Sequence, residues 1–143
     1  MNSRHFLKYG CIHIVLPLFL GVAIYFIWGN SSSKLLEMLQ RLLRNDLFFG
    51  LKEWLQAMIS IPNFVIYQLP DALWAYTFCT TLLWIWQRQN TAFVTIIAFS
   101  LCTIYELMQR WQLTAGTFDI LDVLAMLIAC LCALLFTKKS IAL

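Results

Sequence analysis

Three carboxylates stand where an apolar chain has little other reason to place them. Glu106 lies near the end of one apolar run; Asp119 and Asp122 open the next, across a polar break from Arg110 to Phe118. On a helix, residues three or four apart are neighbours, so Asp119 and Asp122 point roughly the same way and Glu106 can pair with Arg110. Asp71 follows Pro70 at the start of an earlier apolar run, and Gln109 adds an amide beside Glu106. Ionised carboxylates are costly in hydrocarbon, so these groups should face a bundle interior, a watery cleft or one another. Closely spaced acids repel, and a cation relieves that repulsion. The expected chemistry is therefore ligand or cation binding by Glu106, Asp119, Asp122, Gln109, Asp71 and Arg110. If the cation is a metal, its ligands are Glu106, Asp119 and Asp122, because carboxylates suit hard divalent ions.

A plainer role competes at each position. Asp71, Asp119 and Asp122 all sit at expected helix starts, where a carboxylate caps backbone N–H groups and complements the macrodipole. Capping explains Asp71 best and Asp122, one turn deeper, least. Glu106 is at the wrong end of its helix for that benefit, and an Arg110 pair would offset the mismatch. No HExxH, glycine-rich phosphate loop or GxSxG sequence is present, so no catalytic motif is available to organise the acids. His5 and His13 fall at the opposite end of the expected bundle. A metal-assisted enzyme acting on an envelope lipid or phosphate ester is an alternative to a binding module, and a small structural subunit of a larger complex is another.

Positioning the acids falls to helices in a membrane. The 143 residues are 62% hydrophobic and 12% charged, with a mean hydropathy of +0.77. Soluble domains are nearer 45–50% apolar and about a quarter charged, so there is too little polar surface here to dissolve a domain. Net charge is +3, too weak and scattered for nucleic acid. The five cysteines, Cys11, Cys79, Cys102, Cys130 and Cys132, lie inside apolar runs without a CxxC pair and read as small packing residues.

The pattern predicts a single all-α membrane domain over 1–143, with four transmembrane helices at about 11–28, 70–87, 91–109 and 119–137. Each is near the length that crosses about 30 Å of hydrocarbon. In the first, His13, Pro17 and Gly21 recur every four residues on one face, and Pro17 favours a bend. Pro70 and Asp71 read as the start of the second. Residues 87–90 form a polar turn. Between spans one and two, residues 33–60 form an amphipathic interfacial segment: Ser33 is its N-cap, leucines from 35 to 43 line one face, and Glu37 and Arg41 pair on the other. Trp54, Trp74 and Trp111 suit an aromatic belt on one side, and Trp84 and Trp86 a belt on the other.

Four spans place both termini together. With them in the cytoplasm, that side holds Arg4, Lys8, Arg88, Lys138 and Lys139 and no acid; the other side holds all seven acids. The short connections favour this orientation by the positive-inside rule. The expected setting is a bacterial cytoplasmic (inner) membrane, with lipids as neighbours and a larger membrane complex or homo-oligomer as candidate partners. No cofactor is expected beyond an optional divalent cation.

Tyr105-Glu106-Leu107-Met108-Gln109, followed by Gly116-Thr117-Phe118-Asp119-Ile120-Leu121-Asp122-Val123-Leu124-Ala125, resembles the signature of the VanZ-like family of small bacterial membrane proteins. The resemblance covers about residues 105–129 and falls on Glu106, Gln109, Gly116, Phe118, Asp119 and Asp122. It departs at Thr117, where the family usually has Arg, and at Met126 and Ala129, where it usually has Asn and Gly. Those departures remove two polar partners of the acids and leave a binding or structural role more open. The resemblance implies a cell-envelope protein, in a family with some members linked to glycopeptide-antibiotic resistance. A binding or accessory module with an outward-facing acidic cleft is the function this predicts.

Overall fold

The computed structural model of the protein describes residues 9–28, 46–86, 90–114 and 117–141, excluding the side chains of 46–49, 51 and 138–141. The described chain is helical, in five elements: α1 (Cys11–Trp28), α2 (Asp46–Met58), α3 (Asn63–Ile85), α4 (Thr91–Arg110) and α5 (Ile120–Ile141). Ser33, the leucines from 35 to 43, the Glu37–Arg41 pair, residues 87–89 and Gly116 lie outside the described residues.

Helices α1 and α4, and α5 as far as Thr137, are long and apolar enough to cross a membrane. Their large side chains point outwards: Phe19 is 66%, Ile96 62% and Ile128 62% exposed. A monomer in water does not expose apolar surface on this scale; a helix bundle in lipid does. The interior is lined instead by small side chains. Ala75, Cys79 and Leu83 of α3 meet Val94 and Ala98 of α4 and Met126, Ala129, Cys130 and Ala133 of α5. Small residues let helix backbones approach where lipid provides no hydrophobic drive for association. The closest seam is α3 on α5, where the Cys79 thiol reaches the Cys130 carbonyl at 3.8 Å and the Cys130 thiol reaches the Ala75 carbonyl at 4.0 Å. Thr81, Thr95 and Thr103 satisfy their hydroxyls on the carbonyl four residues back, a common solution for hydroxyls inside helices.

Helix α3 is central, packing against α1, α4 and α5. It carries Gln68, Asp71, Thr77 and Thr80, which suits a helix with neighbours on several sides. It begins earlier than the sequence predicts. Its first residue is Asn63, and Pro70 lies inside it, so Asp71 is not in a first turn. Pro62 starts the helix through its carbonyl, which accepts from the amides of Val65 (2.9 Å) and Ile66 (3.4 Å). Pro70 supplies no N–H to the Ile66 carbonyl, a defect worth about 3 kcal/mol in an ordinary helix interior. Here Pro70 is buried at the crossing with α1. A Cβ added at Gly21 would sit 3.4 Å from Leu73 Cβ and 3.5 Å from the Pro70 carbonyl oxygen, so α1 packs closely on α3 at Gly21.

The other face-sharing residues of α1 also turn towards α3. Pro17 is buried, and His13 Nδ1 lies 2.6 Å from the Tyr76 hydroxyl. Just before Pro17, α1 contains a widened turn at Cys11–Val15, where the Leu16 amide bonds the Cys11 carbonyl. An i→i+5 turn of this kind is a recognised distortion inside helices. Past the far end of α1, the Gln56 side-chain amide of α2 donates to the Ile27 carbonyl at 2.6 Å, satisfying one of the orphan carbonyls at a helix end. Trp54 and Met58, four apart on α2, are exposed.

Candidate functional site

The joint between α4 and α5 sets the position of the acids. Asn90 opens α4 in a left-handed conformation and accepts from the Phe93 amide. At the other end, the Gln112 amide bonds the Gln109 carbonyl and the Leu113 amide bonds the Met108 carbonyl, both at 2.9 Å. Together with a φ of 58° at Gln112, this is a Schellman motif with glutamine where glycine is usual. The chain is thereby turned sharply one turn after Glu106. Asp119 then starts α5: its Oδ1 accepts from the Leu121 amide at 2.9 Å, the N-cap geometry.

Asp71, Glu106 and Asp122 converge from α3, α4 and α5. One carboxylate oxygen of each lies within 4.8 Å of the other two. Glu106 is 1% and Asp122 9% exposed. Asp71 stands two turns into α3, Glu106 one turn before the end of α4 and Asp122 in the first turn of α5, so the three share one depth just inside one end of the bundle. The Gln109 side-chain amide donates to Glu106 Oε1 at 3.0 Å. Glu106 Oε2 and Asp122 Oδ1 are buried with no hydrogen-bond partner among the described residues. Buried polar atoms normally have a partner, so two orphaned acid oxygens in one small volume call for a cation or a proton.

The arrangement differs from the expected one in membership. Asp71 belongs to the trio because α3 runs unbroken through Pro70, which moves it from a helix start to a helix interior. Asp119 is outside the trio. Its oxygens are taken by the Leu121 amide and, more weakly, by the Gln68 side-chain amide at 3.4 Å from Oδ2. Gln109 is beside Glu106, as the spacing predicts. Arg110 is exposed, with its guanidinium 5.5 Å from the centre of the Phe118 ring, and no ion pair joins it to Glu106 among the described residues. Gln68 escaped the sequence analysis. Extending the helix through Pro70 would have placed it three residues before Asp71, on the same face.

A second polar group occupies the opposite end of the bundle. The Tyr9 hydroxyl lies 2.8 Å from Thr137 Oγ1. The Tyr9 and His13 rings are 4.6 Å apart, and His13 reaches Tyr76. Tyr9, just before α1, is thereby tied to α5, and His13 of α1 to α3. Comparison with known protein families, with curated proteins and with solved structures returns no match for this chain.

Proposed function

We propose that the chain is a four-span integral membrane protein that binds a cationic group in an acidic pocket at one end of its bundle, acting as a binding or accessory module of the bacterial cell envelope. The observation that carries this reading is the convergence of Asp71, Glu106 and Asp122, with Glu106 fully buried. In this reading α3 is the fourth span and α2 lies in the membrane interface, its exposed Trp54 and Met58 against lipid. Both termini are cytoplasmic in the inner membrane, and the pocket faces outward. The VanZ-like pattern at Glu106, Gln109, Asp119 and Asp122 supports an envelope role.

Native mass spectrometry of protein released from its own membrane tests the binding role. Wild type should carry a cation or an amine-bearing lipid that Asp122→Ala lacks. Identical bound masses in the two proteins would sink the idea.

A further inference from the structure

We infer that Asp71, Glu106 and Asp122 form a binding site for a hard divalent cation such as calcium. The inference rests on the cation-binding reading above and names the ion class. Convergence of acids alone would not carry it. The second observation is Glu106 Oε2: a carboxylate oxygen on a side chain 1% exposed, without a hydrogen-bond partner, on a residue that belongs to the close group.

Charge and donor type select the ion. Hard divalent ions take oxygen ligands at about 2.0–2.6 Å, so opposite ligands stand up to about 5 Å apart. The trio, within 4.8 Å, falls inside that span. Ionised together, the three acids carry more negative charge than a monovalent ion can offset, and a divalent ion leaves a single residual charge. All the donors are oxygens. Neither histidine nor cysteine belongs to the group, which disfavours zinc and copper. Gln68, one turn before Asp71, holds a further buried and unpartnered oxygen, Oε1, while Gln109 orients Glu106 from outside the ligand set. Calcium takes about six to eight oxygens, so positions remain for water or for an anionic headgroup oxygen.

The experiment uses the full chain in detergent, stripped with chelator and titrated with CaCl2, MgCl2 and, as a luminescent calcium substitute, TbCl3. Wild type should bind calcium saturably, with terbium competing and magnesium titrated in parallel. Glu106→Gln and Asp71→Asn should each lose about tenfold or more in affinity, whereas Asp119→Asn should bind as wild type does. Helical circular dichroism accompanies every variant. Because Asp71 is the less buried of the two positions, Asp71→Asn keeps the test open if Glu106→Gln does not fold. Absence of saturable calcium binding by wild type, unchanged binding in Asp71→Asn, or loss confined to Asp119→Asn would each overturn the inference. If calcium binding is absent while Asp122→Ala still loses a bound amine-bearing lipid, the ion class is wrong and the pocket's binding role stands. If both are absent, both readings fall.

Discussion

Glu106 occupies a position that no capping or dipole argument favours, since acid at a helix carboxyl end is mildly unfavourable. That mismatch was the clearest mark of the site in the bare sequence, and the residue is fully buried among carboxylates. Asp122 was legible for a related reason, being one turn too deep to act as the cap that Asp119 provides. Arg110 was misplaced because i,i+4 spacing fixes only which neighbours are in reach. The guanidinium lies over Phe118, a contact worth about 0.5–1 kcal/mol at an exposed site, and stays near solvent. Glu106 takes Gln109 as its partner instead, and this yields a prediction. Residues that orient a metal ligand typically contribute about 10–100-fold to affinity. Gln109→Ala should therefore weaken calcium binding by about that factor with helical content unchanged, as read by parallel titration and circular dichroism. An unaltered titration would make Gln109 a bystander.

At the level of elements, the apolar runs located α1, α4 and α5 closely, because a membrane-crossing helix announces itself by length and composition. Helix α3 was harder. Proline followed by aspartate reads locally as a helix start, and only packing across the bundle shows why the helix continues through it. Pro70 is buried at the α1 crossing, with Gly21 against it. The same misreading hid Gln68 and left Asp71 outside the expected metal set. Gly21 now has a checkable role in holding α1 against the turn that carries Asp71. A methyl group there meets Leu73 and Pro70 at ordinary contact distances of 3.4–3.8 Å, so Gly21→Ala should be tolerated. Gly21→Leu cannot fit without parting the helices, and overpacking of this kind costs about 1–3 kcal/mol. Thermal unfolding in detergent should separate the two variants. Equal midpoints would mean that the α1–α3 crossing is loose.

For the whole molecule, the number of membrane crossings fixes both the distribution of charge and the side on which the acids lie. Helices α1, α4 and α5 have the composition of spans and α3 does not stand with them, yet α3 is the helix that the others surround. Its polar residues include Thr77 and Thr80, both buried among the neighbouring helices. Counting α3 as a span puts Arg4, Lys8, Arg88, Lys138 and Lys139 on one side with no acid among them, as the positive-inside rule prefers for short connections. Leaving α3 out reverses α4 and α5, placing Arg88 and the carboxyl-terminal lysines outside and the α4–α5 joint inside. The two arrangements predict opposite results from the same reporters. With four spans, green fluorescent protein fused after Leu143 should fluoresce, and alkaline phosphatase fused after Leu113 should be active. With three spans and the same amino terminus, the first fusion is dark and the second inactive. The four-span result would place Asp71, Glu106 and Asp122 just beneath the outer face, where an extracellular divalent ion or a headgroup can reach them; the three-span result would put Asp71 on the opposite side of the membrane from Glu106 and Asp122 and overturn the pocket itself.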